Sequence, residues 1–398
     1  MIKKSEVKDI AQIRGLRPQI VEKNYVLGWV LAGINQHPSL RGKWIFKGGT
    51  CLKKCFLETY RFSENLDFTI TDPSHLNEDF ILETFREVCR WIFHQCRLEF
   101  PEHLIQFEFF TNSRGSTSCR GKIAYRGPMG PSIGYRSLPR LKIDLTFDEI
   151  LVLPPVERKI HHEYSDILPK STEALCYSIE EIAAEKFCAL EQRTNPRDLY
   201  DLVNLFRNTE LSIDMDILRD VLHKKCVHRN TKIPTLECTV KHSNKFQPSW
   251  PHMLSHQLPE LPLVGIYLEA LPNLFEWIAN GANLSILYPI TNDGDLFQEQ
   301  SVNLDIAFSI KKYLEIIRFA GVNHLCVDVH YKQMTYRVEP YSIRSTARNE
   351  IIFHAIRTSD ATHSIFTVSE IQGATMTQQS FQPRYLVELR PIIFNYDV

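Results

Sequence analysis

An α+β fold is predicted, and three observations predict it. Short alternating apolar runs, "KWIF", "NLDFTI", "LIQFEFFTN", "GKIAYRG" and "RLKIDLTFDE", have strand periodicity and are parted by Gly, Pro and Ser turns. Helices flank those runs, one with helical apolar spacing over residues 18–36 and a strongly amphipathic one over 77–98. The texture then changes twice, to helices from Ser178 to about residue 283 and to short β-type runs after residue 304. The expected organisation is an α+β domain over 1–165, a helical domain over 166–287 and a small β-barrel over 304–398.

Each element has a reason. In "PQIVEKNYVLGWVLAGINQ" the residues Ile20, Tyr25, Val26, Trp29, Val30 and Ile34 fall at helical spacing. "KWIF" is a short strand that stops at Gly48-Gly49, and "CLKKCFLE" continues as a helix just after Thr50. "SIEEIAAEKFCALEQR" opens with Ser178 and has Glu181 three residues on, the pattern of a capping box. Pro196, Pro234, Pro248 and Pro251 are expected to break the helices that follow. Residues 288–303 have the composition of a linker, and "AFSIKKYLEIIRFAG" is helical before the terminal β-runs.

Bulk properties narrow the function classes. A chain of 398 residues with 43% hydrophobic content can bury two or three cores. The net charge of −1 removes any global pull toward nucleic acid or membrane, so such contact needs a local patch. One candidate is residues 217–246, with seven Lys/Arg against Asp220 and Glu237. No apolar run approaches the ~18 residues of a membrane span, and the N-terminus is too polar for a signal peptide. Ten cysteines without a CxxC pair point to reduced, buried thiols in the cytoplasm, and the spacing of a zinc site is missing.

The chemistry-bearing stretch is "FKGGTCLKKCFLETYRFSENLDFTI", residues 46–70. Gly48 and Gly49 let backbone N–H groups approach a phosphate, and Thr50 falls near a helix N-terminus, which favours anions. Asn65 and Asp67 share one face of the next strand. Asp144, in "LKIDLTF", is a third oxygen donor in an apolar run, where acids are uncommon unless they bind something. Converging carboxylates suit Mg²⁺.

The whole run resembles the AbiEii/AbiGii nucleotidyltransferase toxins, a branch of the polymerase-β-like superfamily. The pattern F-K-G-G-T-x-L … R-F-S-E-D-L-D-F stands here except for Asn65, an amide in place of the first acid. The resemblance continues upstream in "VEKNYVLGWVLAGI" and downstream in "SIEEIAAEKFCALEQRTNPRDLYDL", with Lys186, Arg193, Asp198 and Asp201, and covers about residues 15–283. It implies that Gly48, Gly49 and Thr50 hold nucleotide phosphates. It implies Asp67, Asn65 and Asp144 as metal ligands, Lys186 as the triphosphate cation and Asp198 as completing the site. Arg193, Arg61 and Ser63 are implied around the nucleotide. The implied activity is Mg²⁺-dependent transfer of a nucleoside monophosphate from an NTP to an RNA acceptor, with the tRNA 3′ end as acceptor. An antitoxin partner and a toxin–antitoxin or phage-defence setting follow by kinship. The alternatives are a degenerate nucleotide-binding sensor or scaffold, which Asn65 motivates, and a phosphotransferase or protein-nucleotidylating enzyme on the same fold.

"YRVEPYSIR", "EIIFHAIR", "FTVSEIQGA" and "FQPRYLVEL" resemble, in order, the strands of a WYL-type domain, an Sm/SH3-like barrel. Ile351-Ile352-Phe353 stands where that family has Trp-Tyr-Leu. Arg337, Arg344 and Arg384 are candidates there for an anion.

Overall fold

The structure is a computed structural model, and it describes residues 1–112, 115–130, 138–169, 172–208, 211–281, 287–290, 300–301, 312–346 and 348–389. The helices are α1 (Lys4–Ile13), α2 (Pro18–Gln36), α3 (Gly48–Cys51), α4 (Glu78–Cys96), α5 (Ile179–Arg193), α6 (Pro196–Phe206), α7 (Met215–His228), α8 (Leu236–Lys241), α9 (Phe246–Leu254), α10 (Val264–Leu268), α11 (Leu271–Asn280) and α12 (Lys312–Val322). The first seven strands are β1 (Trp44–Lys47), β2 (Asn65–Ile70), β3 (Ile105–Thr111), β4 (Thr117–Ala124), β5 (Arg140–Thr146), β6 (Val156–Lys159) and β7 (Glu173–Cys176). They form one mixed sheet in the order β3-β4-β5-β2-β1-β7-β6.

Two features of that sheet position the site. β1 and β2 are antiparallel, with Lys47 opposite Asp67. β2 and β5 are parallel, with Asp67 opposite Asp144. Strand side chains alternate between faces, so this register puts both acids on one face and Leu66, Phe68, Ile143 and Leu145 on the other, in the core. Helix α2 is buried over most of its length, as expected for a helix apolar on every side.

The glycine turn departs from expectation in one respect. The helix starts at Gly48, not after Thr50, and passes at Leu52 into a π-helical turn ending at Phe56. Thr50 is therefore inside the first turn. The expected capping box at Ser178 is half made. Ser178 Oγ accepts from the Glu181 N–H at 3.2 Å. The Glu181 carboxylate turns away, accepting from the N–H groups of Val152 (2.9 Å) and Leu153 (3.1 Å) and pairing with Lys225 at 2.8 Å. Burial explains the choice: a carboxylate fully inside the protein needs a cation more than it needs a second cap. Pro196 opens α6 as expected, but Pro248 and Pro251 lie within α9 and do not break it.

The terminal β-region contains β8 (Gln300–Ser301), β9 (Leu325–Tyr331), β10 (Met334–Ser345), β11 (Ile351–Arg357), β12 (His363–Thr367) and β13 (Ile371–Ser380). They form a second sheet, in the order β12-β11-β10-β9-β13 with β8 beside β10. Its end strands β12 and β13 do not pair among the described residues, so the expected Sm/SH3-like barrel is not closed here. Arg337, Arg344 and Arg384 do not converge on an anion site. Arg337 forks onto Asp328 at 2.7 and 2.9 Å, Arg344 pairs with Glu388, and Arg384 forks onto Glu339 at 2.9 and 2.8 Å.

Nor does this region stand apart. Its residues Ile317, Phe319, Val327 and Phe353 belong to the same apolar cluster as the first sheet and the helical region. Phe319 packs edge-on against Tyr60 at 5.6 Å, Arg207 donates to the Asn323 carbonyl at 2.9 Å, and the Tyr267 hydroxyl donates to the Asn323 side chain. The described parts of the expected linker are also structured: Ile290 is buried, and Gln300 and Ser301 pair with Ser345 and Arg344. The rest of 288–303 lies outside the described residues. A chain shortened to residues 1–290 should therefore aggregate or lose cooperative melting, because it exposes this shared face. A soluble fragment that melts cooperatively would show the first 290 residues to be independent.

Candidate active site

Gly48 and Gly49 are required by their neighbours. Gly48 has φ +82°, and a Cβ there would lie 2.6 Å from Asp67 Oδ2. At Gly49 a Cβ would collide with the Arg61 guanidinium. The turn is thus bare so that an acid and a guanidinium can close against its backbone.

Asp67 sits between Lys47 and Asp144 in the sheet. Burial, and then the Asp144 carboxylate, push the Asp67 carboxyl up to about 6, against the pull of Lys47, Lys186 and Arg193. Asp144 Oδ1 accepts from Arg120 Nε at 2.7 Å. Asn65 lies two residues before Asp67 on the same face. Thr50 does something other than line the cavity. It is buried, and its hydroxyl donates to the Asn65 carbonyl at 2.5 Å, tying the glycine turn to the start of β2.

The opposite wall is helical. Lys186 and Arg193 are two turns apart on one face of α5, and Asp198 and Asp201 are one turn apart on α6. Lys186 Nζ is 2.5 Å from Asp201 and 3.7 Å from Asp198. Asp198 also accepts from Arg193, at 3.0 and 2.9 Å. Asp201 is fully buried and takes a two-pronged bond from Arg61, Nε to Oδ1 at 2.9 Å and Nη2 to Oδ2 at 2.7 Å. Arg61 Nη1 donates to Gln257 at 3.0 Å. Burial pushes the Asp201 carboxyl up, but Arg61 and Lys186 outweigh it and hold it at about 2.

These walls enclose a cavity of about 790 Å³. Gly48, Gly49, Arg61, Ser63, Asn65, Asp67, Asp144, Lys186, Arg193 and Asp198 all line it, and Thr50 does not. Four lining cations lie outside the expected set: Lys47, Arg120, Arg197 and Arg229. Lys47 donates to Thr146 at 3.0 Å. Arg197 has an Nε with no hydrogen-bond partner among the described residues, and burial and then the Arg61 charge lower its proton affinity. Arg229 pairs with Glu149 at 2.7 Å and Glu185 at 3.0 Å. In all, seven lysines and arginines line the cavity against five aspartates and glutamates, so it favours a polyanion.

Four of the seven cations in segment 217–246 are engaged within the protein. Lys225 is buried beside Glu181, Lys224 pairs with Asp220, and Arg219 donates to the α11 carbonyls of Ile278 and Ala279. Only Arg229 of that segment reaches the cavity. A sequence signal for Lys47 existed, since it alternates with Phe46 and immediately precedes the glycines. Arg197 stands beside Asp198 in the quoted motif and was passed over, whereas Arg120 and Arg229 had no local signal, because long-range pairing brings them in.

A glycine turn, paired acids in register and a lysine on the facing helix line one cavity. The family model of the AbiEii nucleotidyltransferase toxins, of type IV toxin–antitoxin systems, matches residues 29–280. The chain belongs to the AbiEii family. It is thus a nucleotidyltransferase toxin by family, and a family of this type implies an antitoxin partner and a nucleotide substrate. Among solved structures, MenT4, a nucleotidyltransferase toxin from Mycobacterium tuberculosis H37Rv, is similar at 18% identity with a TM-score of 0.48, covering 70% of this chain and 90% of that one. No curated protein matches. The family match stops at residue 280, so the WYL resemblance of the terminal region stands on its quoted residues alone. No helix among the described residues is long and apolar enough to cross a membrane.

The AbiEii cleft depends on Asp201 for its shape. Asp201→Asn is expected to destabilise the protein by about 3–5 kcal/mol, because it leaves two buried cations short of a partner. The sign with pH follows from a lowered carboxyl. Its stabilisation is complete above the ordinary aspartate pKa of about 3.9 and is lost as pH falls through about 2. Chemical denaturation of both proteins should show the gap constant near neutrality and narrowing below pH ~4.

Proposed function

We propose that this AbiEii toxin transfers a nucleoside monophosphate from an NTP, with Mg²⁺, to a hydroxyl of an RNA acceptor, the tRNA 3′ end, as the toxin of a toxin–antitoxin or phage-defence pair. The observation that carries the reading is the register of Asp67 on Asp144 beside Gly48-Gly49. The acceptor oxygen forms a bond to the α-phosphorus, the bond to the β-phosphate oxygen breaks, and pyrophosphate leaves. Residues of this chain supply the placement. The bare backbone at Gly48 and Gly49 and the Lys186 ammonium meet the phosphates. Arg193 and Arg197 extend the cationic wall, and Arg61 fixes the loop against Asp201.

The donor set fits a hard divalent cation. Two carboxylates and the Asn65 amide oxygen share one face, and burial with mutual repulsion raises Asp67 in a way that a cation would relieve. Asp67, Asp144 and Asn65 would hold the ion, which when bound supplies charge neutralisation at the transferring phosphoryl group. Lys186 also has a structural part, since its ammonium neutralises Asp201.

Asn65 favours a second reading, a weakened or nucleotide-sensing enzyme. An amide oxygen ligates but brings no charge and accepts no proton near neutrality. Asn65→Asp is expected to raise single-turnover transfer at least ~10-fold, about 1.4 kcal/mol of barrier. Asp67→Asn should remove activity with little change in melting. If the first is no faster and the second no slower, Asn65 and Asp67 are not the metal site.

Purified protein given α- or γ-labelled NTP, with RNA and protein acceptors side by side, tests the reaction itself. Label from the α-phosphate on RNA is expected. Label from the γ-phosphate means a phosphotransferase, label on protein a different acceptor, and nucleotide binding without transfer the sensor.

A further inference from the structure

A second cluster of reactive groups lies behind the glycine turn, outside the cavity. Cys51 ends α3, Cys55 is on the π-turn and Cys176 ends β7, which runs beside β1 with Phe46 opposite Cys176. All three are buried, and their sulfurs lie within 4.8 Å of one another. The π-turn closes with the Leu57 N–H on the Leu52 carbonyl at 2.9 Å. Such turns are rare and recur at functional sites.

An independent observation concerns the next residue. Lys54 is almost fully buried, and its ammonium donates only to neutral oxygens, Asn24 Oδ1 at 2.9 Å and the His161 carbonyl at 3.4 Å. No carboxylate lies within 4.0 Å of it among the described residues, whereas its neighbour Lys53 is paired with Glu58. Glu163 and Glu58 act on it only from further off, and a buried cation without a direct ion pair is costly, so this place favours a negative group close by.

We propose that Cys51, Cys55 and Cys176 form a three-thiolate site for one thiophilic d¹⁰ cation, zinc(II) or copper(I), with Lys54 as its counter-charge. Three thiolates on zinc(II) carry net charge −1, and on copper(I) −2, the sign that Lys54 lacks. The three thiols release their protons to solvent as the ion binds. Thiolate–zinc bonds of about 2.3 Å place three sulfurs about 4 Å apart, inside the observed limit. The site is closed, so the ion enters as the chain folds. It ties the helix that begins at Gly48 to β7, within two turns of the phosphate-facing glycines. Sequence spacing hides it, because the third ligand lies 121 positions after the second, from Cys55 to Cys176.

The test uses the full chain. Protein purified without chelator is dialysed and analysed for metal. It is then unfolded with reductant and chelator, and refolded alone, with one equivalent of zinc(II), or with one equivalent of copper(I) under argon. About one metal per chain and a melting temperature higher than that of the metal-free sample are expected, and the two arms identify the ion. Cys55→Ser should lose the metal, while Cys226→Ala, in the separate Cys188–Cys226 contact at 3.4 Å, should keep it. Should Cys55→Ser fail to fold, cadmium(II) added during refolding of the unaltered chain gives the same answer through thiolate-to-metal absorption. Refolding to the same melting temperature with no bound metal overturns the proposal and leaves three core thiols. A chain isolated two hydrogens lighter, with a disulfide among these cysteines, overturns it as well.

Discussion

The contact on which the rest depends is the buried triad of Arg61, Asp201 and Lys186. Asp201 has no access to solvent, and its two cations come from different parts of the chain. Arg61 stands on the irregular segment between the glycine turn and β2, and Lys186 on α5. Only when these meet on one carboxylate do the sheet and the helices enclose a cavity. A buried ion pair is weak evidence of net stability, since desolvation offsets much of the attraction. Its effect here is geometric. The forked guanidinium fixes the loop's direction, and the missing Cβ of Gly49 leaves room for it.

The same loop is held from behind. Tyr60, with φ +58°, precedes Arg61 and packs on Phe319 of α12. Glu58 pairs with Lys53 and Arg14, and Tyr200 donates to the Thr59 carbonyl at 2.9 Å. The terminal sheet, through α12, is thereby part of the scaffold that aims a cavity arginine. A lone guanidinium on a free loop would sample many directions, and each packed neighbour removes some of that freedom.

Much of this was legible in the chain itself, and the reason is local. The glycine turn, Asp67 on an alternating strand and Lys186 on an amphipathic helix each follow from patterns a few residues long. The α+β class follows likewise. What escaped is whatever long-range pairing decides. Arg120 reaches Asp144 only because β4 lies beside β5, and Arg229 reaches the cavity only because α7 packs on α5. Glu181 abandons its cap for Lys225 because burial outranks a helix-end bond. Thr50, directly after the glycine pair, stands where a phosphate contact is expected but spends its hydroxyl on the Asn65 carbonyl. The terminal strands were recognisable one by one. Whether they close, and what they pack against, depends on surfaces that no local window contains.

The distance along the chain between partners has a consequence for synthesis. Asp67 waits for Asp144, and Arg61 waits for Asp201, 140 positions later. At a ribosomal rate of roughly 5–20 residues per second, the loop stays without its anchor for about 7–28 seconds. Until Asp144 and then Lys186 are added, the nascent polypeptide has Asp67 alone and no facing lysine. A cavity assembled in this order cannot be complete until more than half of the chain has been made, so no shorter nascent fragment carries the whole site.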